Sequence, residues 1–287
     1  MAPRPEHSNI NIVDIGAMML GDEKEPYRPL LNAGKASVVG FEPNEQECAK
    51  LNALGGTSRY YPYFIGDGSE RTYYETNYSM TGSLYRPNTP LLEKFHCLAE
   101  LTKLQAEHPG IKTRRLDDLA DLEGLGDVDL IKIDVQGAEL DVFRGATKAL
   151  ASAVVIITEV CFVPLYESQP LFGDIDVYLR QNGFAFHTFK GFGQRFFLPF
   201  FAPDRPGAAF RQLLWSDAVY VKDFMRLDLL TDDKLLKLAA IVETTLGSHD
   251  LAAVALREYD RRNGTKSSED YVAQTLQSHA AAKAKAS

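Results

Sequence analysis

Cysteine is scarce in this sequence. The 287 residues include only Cys48, Cys97 and Cys161, which lie far apart along the chain. So few and so scattered cysteines exclude a disulfide framework and a zinc cluster built from paired cysteines. They fit a reducing, cytoplasmic setting, which is the location that we expect.

Long apolar runs are also missing. The most apolar stretch, residues 150–166, contains Glu159 and is shorter than the roughly 20 residues that a membrane-spanning helix needs. The N-terminal residues have none of the apolar core of a secretory signal peptide. We therefore expect no integral membrane association and no targeting segment.

Basic residues are outnumbered by acidic ones. Lysine and arginine total 31 against 39 aspartates and glutamates, which gives a net charge of −8 and a pI near 5.3. This balance speaks against a general nucleic-acid binder, so we expect no nucleic-acid partner and no overall attraction to anionic lipid. The hydrophobic fraction of 45% is ordinary for a globular protein and excludes global disorder.

Short apolar strands alternate with helical patterns along most of the chain. β-Branched and aromatic runs predict strands, and periodic apolar residues predict helices. The predicted strands are 10–15, 36–41, 59–65, 71–75, 128–135, 154–159, 184–189 and 213–221. The predicted helices in the same region are 45–54, 90–105, 138–150 and 172–182. This alternation predicts an α/β fold in which helices cover both faces of a mainly parallel sheet.

The last part of the chain differs, because no strand pattern follows Leu227. We predict a first domain over residues 1–223 and a C-terminal helical extension over 224–287, with a frayed tail rich in alanine and lysine. The predicted helices of the extension are 234–246, 250–262 and 268–282.

Polar residues and glycines stand at the ends of the predicted strands. Ligands of open parallel sheets bind outside the carboxyl ends of the strands, so these residues are candidates for a site. They are Asp14, Gly16, Glu42, Gly66, Asp67, Asp134, Gln136, Glu159 and His187. Gly16 would let the backbone approach a ligand, Glu42 could accept hydrogen bonds from both hydroxyls of a ribose, and Asp67 could face an exocyclic amine such as that of adenine. Ordinary turns and solvated acids are the alternative.

The segment from Lys132 to Glu139 is the most informative one. Lys132 and Asp134 share one side of an otherwise apolar strand, which favours a cleft wall because buried charges are costly. A structural lysine–aspartate pair is the alternative. Glu139 begins the next helix, where the helix dipole favours an acid, and this role fits the sequence at least as well as catalysis.

Glu159 and His187 form a second pair of candidates. Glu159 interrupts an apolar strand and His187 lies on a later strand, so together they could act as a general base or bind a metal. A buried, hydrogen-bonded histidine is the competing interpretation. The remaining histidines and the cysteines have no ligand spacing, and we predict no metal site.

These residues resemble a known family, the FkbM-type S-adenosylmethionine-dependent methyltransferases, over roughly residues 10–223. The most specific match is the segment Lys132 to Glu139. The other matching motifs are Asp14 to Ala17, Phe41 to Pro43, Arg115 to Leu119 and Phe143 to Ala146. Met18 and Leu20 stand where the family usually has asparagine and glycine, and Gln136 stands where it often has glutamate.

The resemblance implies a Rossmann-like class I methyltransferase sheet of seven strands, in which the last strand, 213–221, is reversed. It also implies S-adenosyl-L-methionine as the cofactor and methyl transfer to a hydroxyl of a small-molecule, sugar or lipid-like acceptor. The cofactor-binding candidates are then Asp14, Gly16, Glu42, Gly66, Asp67, Ser83, Asp134 and Gln136. Asp134 is the first choice for the base that removes the acceptor proton, and Glu159 and His187 are weaker candidates.

Two other functions are compatible with the residues. A nicotinamide-dependent oxidoreductase would also place an acid such as Glu42 on the adenosine ribose, although the first turn lacks the full Gly-x-Gly-x-x-Gly pattern. A non-catalytic binding module that keeps the cofactor fold would explain Met18 and Leu20.

The connection over residues 191–203 is unusually aromatic, with five phenylalanines. Surface loops rarely expose so much apolar area without a purpose. We expect this connection to wall a pocket for an acceptor that has an apolar part. The alternative is that it covers the sheet or seats the C-terminal helices, and contact with a membrane surface is a weaker alternative.

Overall fold

A computed structural model describes residues 5–18, 25–119, 125–202, 204–205 and 207–286. The strands are β1 (Ile10–Ile15), β2 (Ala36–Phe41), β3 (Arg59–Tyr61), β4 (Glu70–Thr76), β5 (Leu104–Lys112), β6 (Leu130–Ile133), β7 (Val155–Cys161), β8 (Phe184–Gln194) and β9 (Leu213–Lys222). The α-helices are α1 (Arg28–Asn32), α2 (Glu45–Ala53), α3 (Thr89–Leu92), α4 (Leu98–Leu101), α5 (Glu139–Arg144), α6 (Thr147–Ser152), α7 (Phe172–Gln181), α8 (Asp232–Leu246), α9 (His249–Asn263) and α10 (Ser267–Ala286).

Seven strands form one sheet in the order β3-β2-β1-β6-β7-β9-β8. The first five strands in this order pair in parallel, whereas β9 runs antiparallel to both of its neighbours, β7 and β8. The predicted seven-stranded, Rossmann-like sheet with a reversed last strand is confirmed. Because β1, β2, β6 and β7 are parallel, their carboxyl ends meet at one edge of the sheet, where a ligand site is expected.

The sheet divides the hydrophobic core into two clusters. Successive residues of a strand point to opposite faces, so Ile12 and Val13 of β1 lie in different clusters. Ile12 shares its cluster with Leu238 of α8, and Val13 shares the other with Phe143 of α5. The C-terminal helices therefore cover one face of the sheet, and α5 to α7 cover the other.

A buried ionic group fastens the C-terminal helices to the amino edge of the sheet. Asp129, just before β6, is fully buried and accepts hydrogen bonds from Lys234 at 2.6 Å and from Lys237 at 2.9 Å. It also accepts one from the backbone amide of Asn11 at 2.8 Å. The domain boundary after residue 223 stays a prediction, and α10 continues to Ala286 through the tail for which we predicted fraying.

Two predicted helices differ from the structure. The helix predicted over 90–105 is split into α3 and α4, since Cys97 between them has a left-handed φ of 65°, and β5 then begins at Leu104 and pairs with β4. The helix predicted over 138–150 is split into α5 and α6 at Gly145. A Cβ atom on Gly145 would lie 2.0 Å from the carbonyl oxygen of Gly66, so the chain passes too close to that loop for a side chain at this point.

No helix among the described residues has the length and apolar character required to cross a bilayer.

Candidate functional site

The turn after β1 is wedged between the ends of two neighbouring strands. The backbone amides of Gly16 and Ala17 donate to the carbonyl oxygen of Phe41 at the end of β2, at 2.9 and 3.1 Å. Gly16 has a φ of 79°, which favours glycine, and a Cβ atom there would lie 1.8 Å from the carbonyl oxygen of Asp134. Glycine is therefore required at Gly16 both by the backbone angle and by the close approach of the segment after β6. Leu20 lies outside the described residues.

Asp14 and Lys132 form a buried ion pair beneath this turn. The Lys132 Nζ atom lies 3.3 Å from Asp14 Oδ1, and the hydroxyl of Tyr27 donates to Asp14 Oδ2. Burial raises the pKa of Asp14, although Lys132 and Tyr27 both act to lower it. Burial alone would lower the pKa of Lys132, but Asp14 and then Asp134 raise it above its ordinary value. The lysine on the predicted cleft wall thus forms its ion pair with the aspartate of the adjacent strand.

Glu42 follows β2 and is almost completely buried. Its Oε1 accepts a hydrogen bond from the backbone amide of Asn44 at 2.7 Å, and no described residue donates to Oε2. Burial raises the pKa of Glu42 to about 7, although the bond from Asn44 acts to lower it. One carboxylate oxygen therefore has capacity for a polar group of a ligand, as the ribose assignment requires.

Three aromatic rings stack beside Glu42. The centroid of Tyr61 lies 6.1 Å from Phe41 and 5.9 Å from Tyr63, and the Arg114 guanidinium lies 3.9 Å from the centroid of the Tyr63 ring. Tyr61 and Tyr63 are half-buried, so they present flat apolar surface at the same edge. The sequence contained a signal for this group, since the predicted strand over 59–65 was rich in aromatic residues.

Asp67 lies in the turn between β3 and β4, and its oxygens already accept hydrogen bonds. Oδ1 accepts from both the amide and the hydroxyl of Ser69, and Oδ2 accepts from Arg71 at 3.4 Å. Burial acts to raise the pKa of Asp67, but the bonds from Ser69 and Arg71 outweigh it and lower that pKa. Arg71 also contacts Asp141 of α5 at 3.0 Å, so the loop that contains Gly66 and Asp67 is attached to α5. The contact of Gly66 and Asp67 with an adenine amine stays a prediction.

Gln136 connects side chains that lie far apart in the sequence. Its Nε2 donates to Asp134 Oδ1 at 2.8 Å and to Glu159 Oε2 at 3.1 Å, and its Oε1 accepts from the Tyr166 hydroxyl at 2.9 Å. The Ser83 hydroxyl donates to the backbone carbonyl of Gln136 at 2.6 Å. Gln136 has a left-handed φ of 56°, which turns the chain so that both its side chain and its carbonyl reach these partners. Ser83, Asp134, Gln136 and Glu159 thus form one connected group.

Three carboxylates meet around this group. Asp134, Glu139 and Glu159 each have a carboxylate oxygen within 4.8 Å of the others. Glu139 Oε1 accepts from the amides of Val135 and Gly137, both at 3.1 Å, and so closes the loop that contains Gln136. Glu139 therefore does more than face a helix dipole, which the sequence pattern alone did not reveal.

The charge state of these carboxylates follows from their burial. Burial raises the pKa of Glu139 to about 7, with the two amides acting to lower it. Burial raises the pKa of Glu159 well above its ordinary range, and the nearby charges of Asp134 and Glu139 raise it further. Like charges this close favour retention of protons within the group. Three such oxygens could also ligate one divalent cation, a site that we did not predict from the sequence.

His187 is not part of this group. Its Nε2 lies 3.0 Å from the Ser248 hydroxyl, at the start of α9, and burial lowers its pKa while Asp250 acts to raise it. In the sheet Glu159 lies opposite Asp217 of β9, which in turn lies opposite Lys190 of β8. Glu159 and His187 therefore contact different residues, and the predicted pair is not formed. A catalytic role for His187 has no geometric support.

The family model of the FkbM methyltransferase domain matches residues 14–186. The chain belongs to the FkbM methyltransferase family. Residues of the candidate site from Asp14 to Glu159 lie within that match. Membership favours methyl transfer over the nicotinamide-dependent alternative.

This FkbM methyltransferase is also similar to a curated relative. The 2-O-methyltransferase NoeI of Sinorhizobium fredii is 32% identical over 179 residues, which cover 58% of this chain and 70% of the relative.

Solved structures give weaker matches. A methyltransferase FkbM from Methylobacillus flagellatus KT is 17% identical with a TM-score of 0.39, over 74% of this chain and 43% of that protein. A TehB-like SAM-dependent methyltransferase from Corynebacterium glutamicum is 14% identical with a TM-score of 0.32, over 77% of this chain and 83% of that protein. The sequence identity and the TM-score are low for both structures, so neither match bears on the function of this chain.

Proposed function

We propose that this FkbM methyltransferase uses S-adenosyl-L-methionine to methylate a hydroxyl of a small-molecule, sugar or lipid-like acceptor. The observation that carries the proposal is the arrangement at one sheet edge: a partly unpaired carboxylate at Glu42, a glycine turn at Gly16, and Asp134 at the end of the central strand. When bound, S-adenosyl-L-methionine supplies an electrophilic methyl group on a sulfonium.

The residues at the ends of β1 and β2 fit the nucleoside part of this cofactor. Glu42 has one oxygen held by Asn44 and one with capacity for a ribose hydroxyl. The stacked pair Tyr61 and Tyr63 offers a flat surface to a purine base. Gly16 has no Cβ, so the first turn packs closely against the segment after β6 and lies beside Asp134 at this sheet edge.

Asp134 is the residue that we assign to proton removal. It directly follows β6, is half-buried, and is held at Oδ1 by Gln136. A hydroxyl becomes a strong nucleophile only as its proton leaves, so the acceptor needs a base within hydrogen-bond distance. Gln136 is in turn held by Tyr166, which fixes the direction of the amide that orients Asp134.

Glu139 and Glu159 support this assignment because their surroundings favour their uncharged forms. Burial raises the pKa of both side chains, which favours their protonated forms. A protonated Glu159 limits the negative charge beside Asp134, while Gln136 keeps the two side chains apart. The name of the relative NoeI, a 2-O-methyltransferase, also supports oxygen as the methylated atom.

The test has two stages. In calorimetric titrations of the full chain, we expect S-adenosylhomocysteine to bind and NAD to give no heat of binding. In the second stage, transfer of a labelled methyl group is measured with matched acceptors that carry either a hydroxyl or an amine at the same position. Transfer to the amine alone would contradict O-methylation, and NAD binding without S-adenosylhomocysteine binding would contradict the cofactor.

A further inference from the structure

The segment between β8 and β9, residues 195–212, exposes large apolar side chains, and we call it the aromatic loop. The exposed fractions are 49% for Phe197, 48% for Leu198, 59% for Phe200, 66% for Phe201 and 71% for Phe210. Each of these side chains therefore leaves about half or more of its surface in solvent, which is more than a role in covering the sheet or seating the C-terminal helices requires. Pro203 lies outside the described residues.

Backbone hydrogen bonds and ring contacts hold the base of this loop. The carbonyl of Phe196 accepts from the amide of His96 at 2.9 Å, and the amide of Leu198 donates to the carbonyl of Lys94 at 2.8 Å. The ring centroids of Phe95 and Phe197 lie 4.4 Å apart. The base is thus attached to the α3–α4 segment, while the tip faces solvent.

Phe196, Phe200 and Phe210 form one patch of rings. Phe210 lies 5.1 Å from Phe196 and 5.2 Å from Phe200, measured between ring centroids. A contiguous apolar patch of this kind on a protein surface marks a place of contact with another apolar phase or molecule.

The charge of the loop is opposite to that of the protein. Residues 195–212 contain Arg195, Arg205 and Arg211 against Asp204 alone, a net charge of +2, whereas the whole chain has −8. Arg205 and Arg211 are exposed, Arg205 lies 3.9 Å from the carboxylate of Asp204, and Arg195 lies over the ring of Trp215. Phenylalanines accompanied by arginines match a surface that is apolar below and anionic above, as in a bilayer with anionic headgroups.

We propose that the aromatic loop docks on the surface of an anionic lipid bilayer. A second copy of this chain fits less well, because a symmetric contact through the loop would bring the arginines of both copies together. The position of the loop in the sheet also sets the direction of docking. The loop leaves β8 and enters β9 at the sheet edge that contains Glu159, where the amide of Phe162 donates to the carbonyl of Leu214 at 2.8 Å. The candidate active site would then face the lipid surface.

Vesicle flotation with the full chain tests this proposal. We compare phosphatidylcholine vesicles with vesicles that also contain phosphatidylglycerol, and we expect the protein to float mainly with the anionic ones. Phe200→Ser/Phe201→Ser should reduce the partition coefficient at least about tenfold, because both rings are exposed and their loss removes apolar contact with the lipid. Arg205→Glu/Arg211→Glu should abolish the preference for phosphatidylglycerol.

A matched control uses exposed apolar residues at the opposite edge of the sheet. Phe224 and Met225 follow β9 and are 46% and 76% exposed, so Phe224→Ser/Met225→Ser removes similar surface and should leave flotation unchanged. The proposal is overturned if the wild-type protein does not float, or if the control loses as much as the loop variant. It is equally overturned if light scattering detects a dimer that Phe200→Ser/Phe201→Ser converts to a monomer. None of these readouts depends on methyl transfer, so they are independent of the proposed function.

Discussion

Gly16 and Asp134 are in backbone contact across two strands: a Cβ atom on Gly16 would lie 1.8 Å from the carbonyl oxygen of Asp134. The amide of Asp134 also donates to the carbonyl of Ile15 at 3.0 Å. The first turn and the segment of the proposed base therefore form one rigid unit. The position of the turn after β1 and the position of Asp134 cannot be changed independently.

Replacement of Gly16 tests this contact. Gly16→Ala combines an unfavourable φ with a steric overlap, and we expect a loss of at least about 3 kcal/mol in the free energy of unfolding. Gly34→Ala is the matched control, because Gly34 has a φ of 66° but a Cβ atom there would have no neighbour within 4 Å, so about 1 kcal/mol should be lost. Urea denaturation measures both values. Equal losses in the two variants would contradict a role for the Asp134 contact.

Glu42 should make cofactor binding depend on pH. Its pKa is raised to about 7 by burial, and protonation removes the negative charge and turns one carboxylate oxygen into an O–H donor. Affinity for S-adenosylhomocysteine should therefore be full above pH 7 and fall as the pH decreases below it. Glu42→Gln should bind at least about tenfold more weakly at pH 8, since charge-assisted bonds are lost, and should show a flatter pH profile.

The control for this measurement is Glu45→Gln, which removes an exposed acid from the first turn of α2. Its affinity and its pH profile should match the wild type in calorimetric titrations. A pH profile that is the same in Glu42→Gln and in the wild type would remove Glu42 from the ribose site.

Asp134 and Glu159 should differ in their effect on turnover. Asp134→Asn keeps an oxygen for the Gln136 amide but removes the base, so we expect turnover to fall by about 10²–10⁴ while cofactor affinity is retained. Glu159→Gln replaces a side chain whose pKa is raised well above its ordinary range, and turnover should fall less than about tenfold. Rates of labelled methyl transfer decide between the two. The opposite ranking would assign the base to Glu159.

Glu139 should affect stability in a defined pH range. In the folded protein burial raises its pKa from 4.5 to about 7, so between these values the folded state binds a proton that the unfolded chain releases. This group therefore contributes its full stabilisation below about pH 4.5. As the pH rises towards 7, the free energy of unfolding decreases by about 1.4 kcal/mol for each pH unit, and the contribution is lost as the pH passes through 7.

Glu139→Gln keeps the oxygen that accepts from Val135 and Gly137 but cannot ionise. Compared with the wild type, it should be more stable at pH 8 by at least about 1 kcal/mol and equally stable near pH 4.5. Urea denaturation at the two pH values measures this difference. A variant that is less stable than the wild type at pH 8 would show that the negative charge itself stabilises the loop.

The sequence was sufficient for the sheet but not for the contacts at its edge. Strand patterns are local, and the acids at strand ends, such as Glu42 and Asp134, follow from those patterns. The partners of Lys132 and His187 depend on the order of strands and on the position of α9, and neither is encoded near the residue itself. Gln136 illustrates the same limit, because its bridge between Asp134 and Glu159 requires a left-handed φ that its neighbours in the sequence did not indicate.

The buried Asp129 limits which segments of this chain can be exchanged with a relative to make a chimera. The segment shared with the family ends at residue 186, before β9 and before both lysines that neutralise Asp129. A chimera that transplants only the shared segment would leave an uncompensated charge inside the protein and β7 without its antiparallel neighbour. The segment that the family model matches is thus smaller than the segment that packs as a unit in this protein, and a chimera should include residues 187–246 with it.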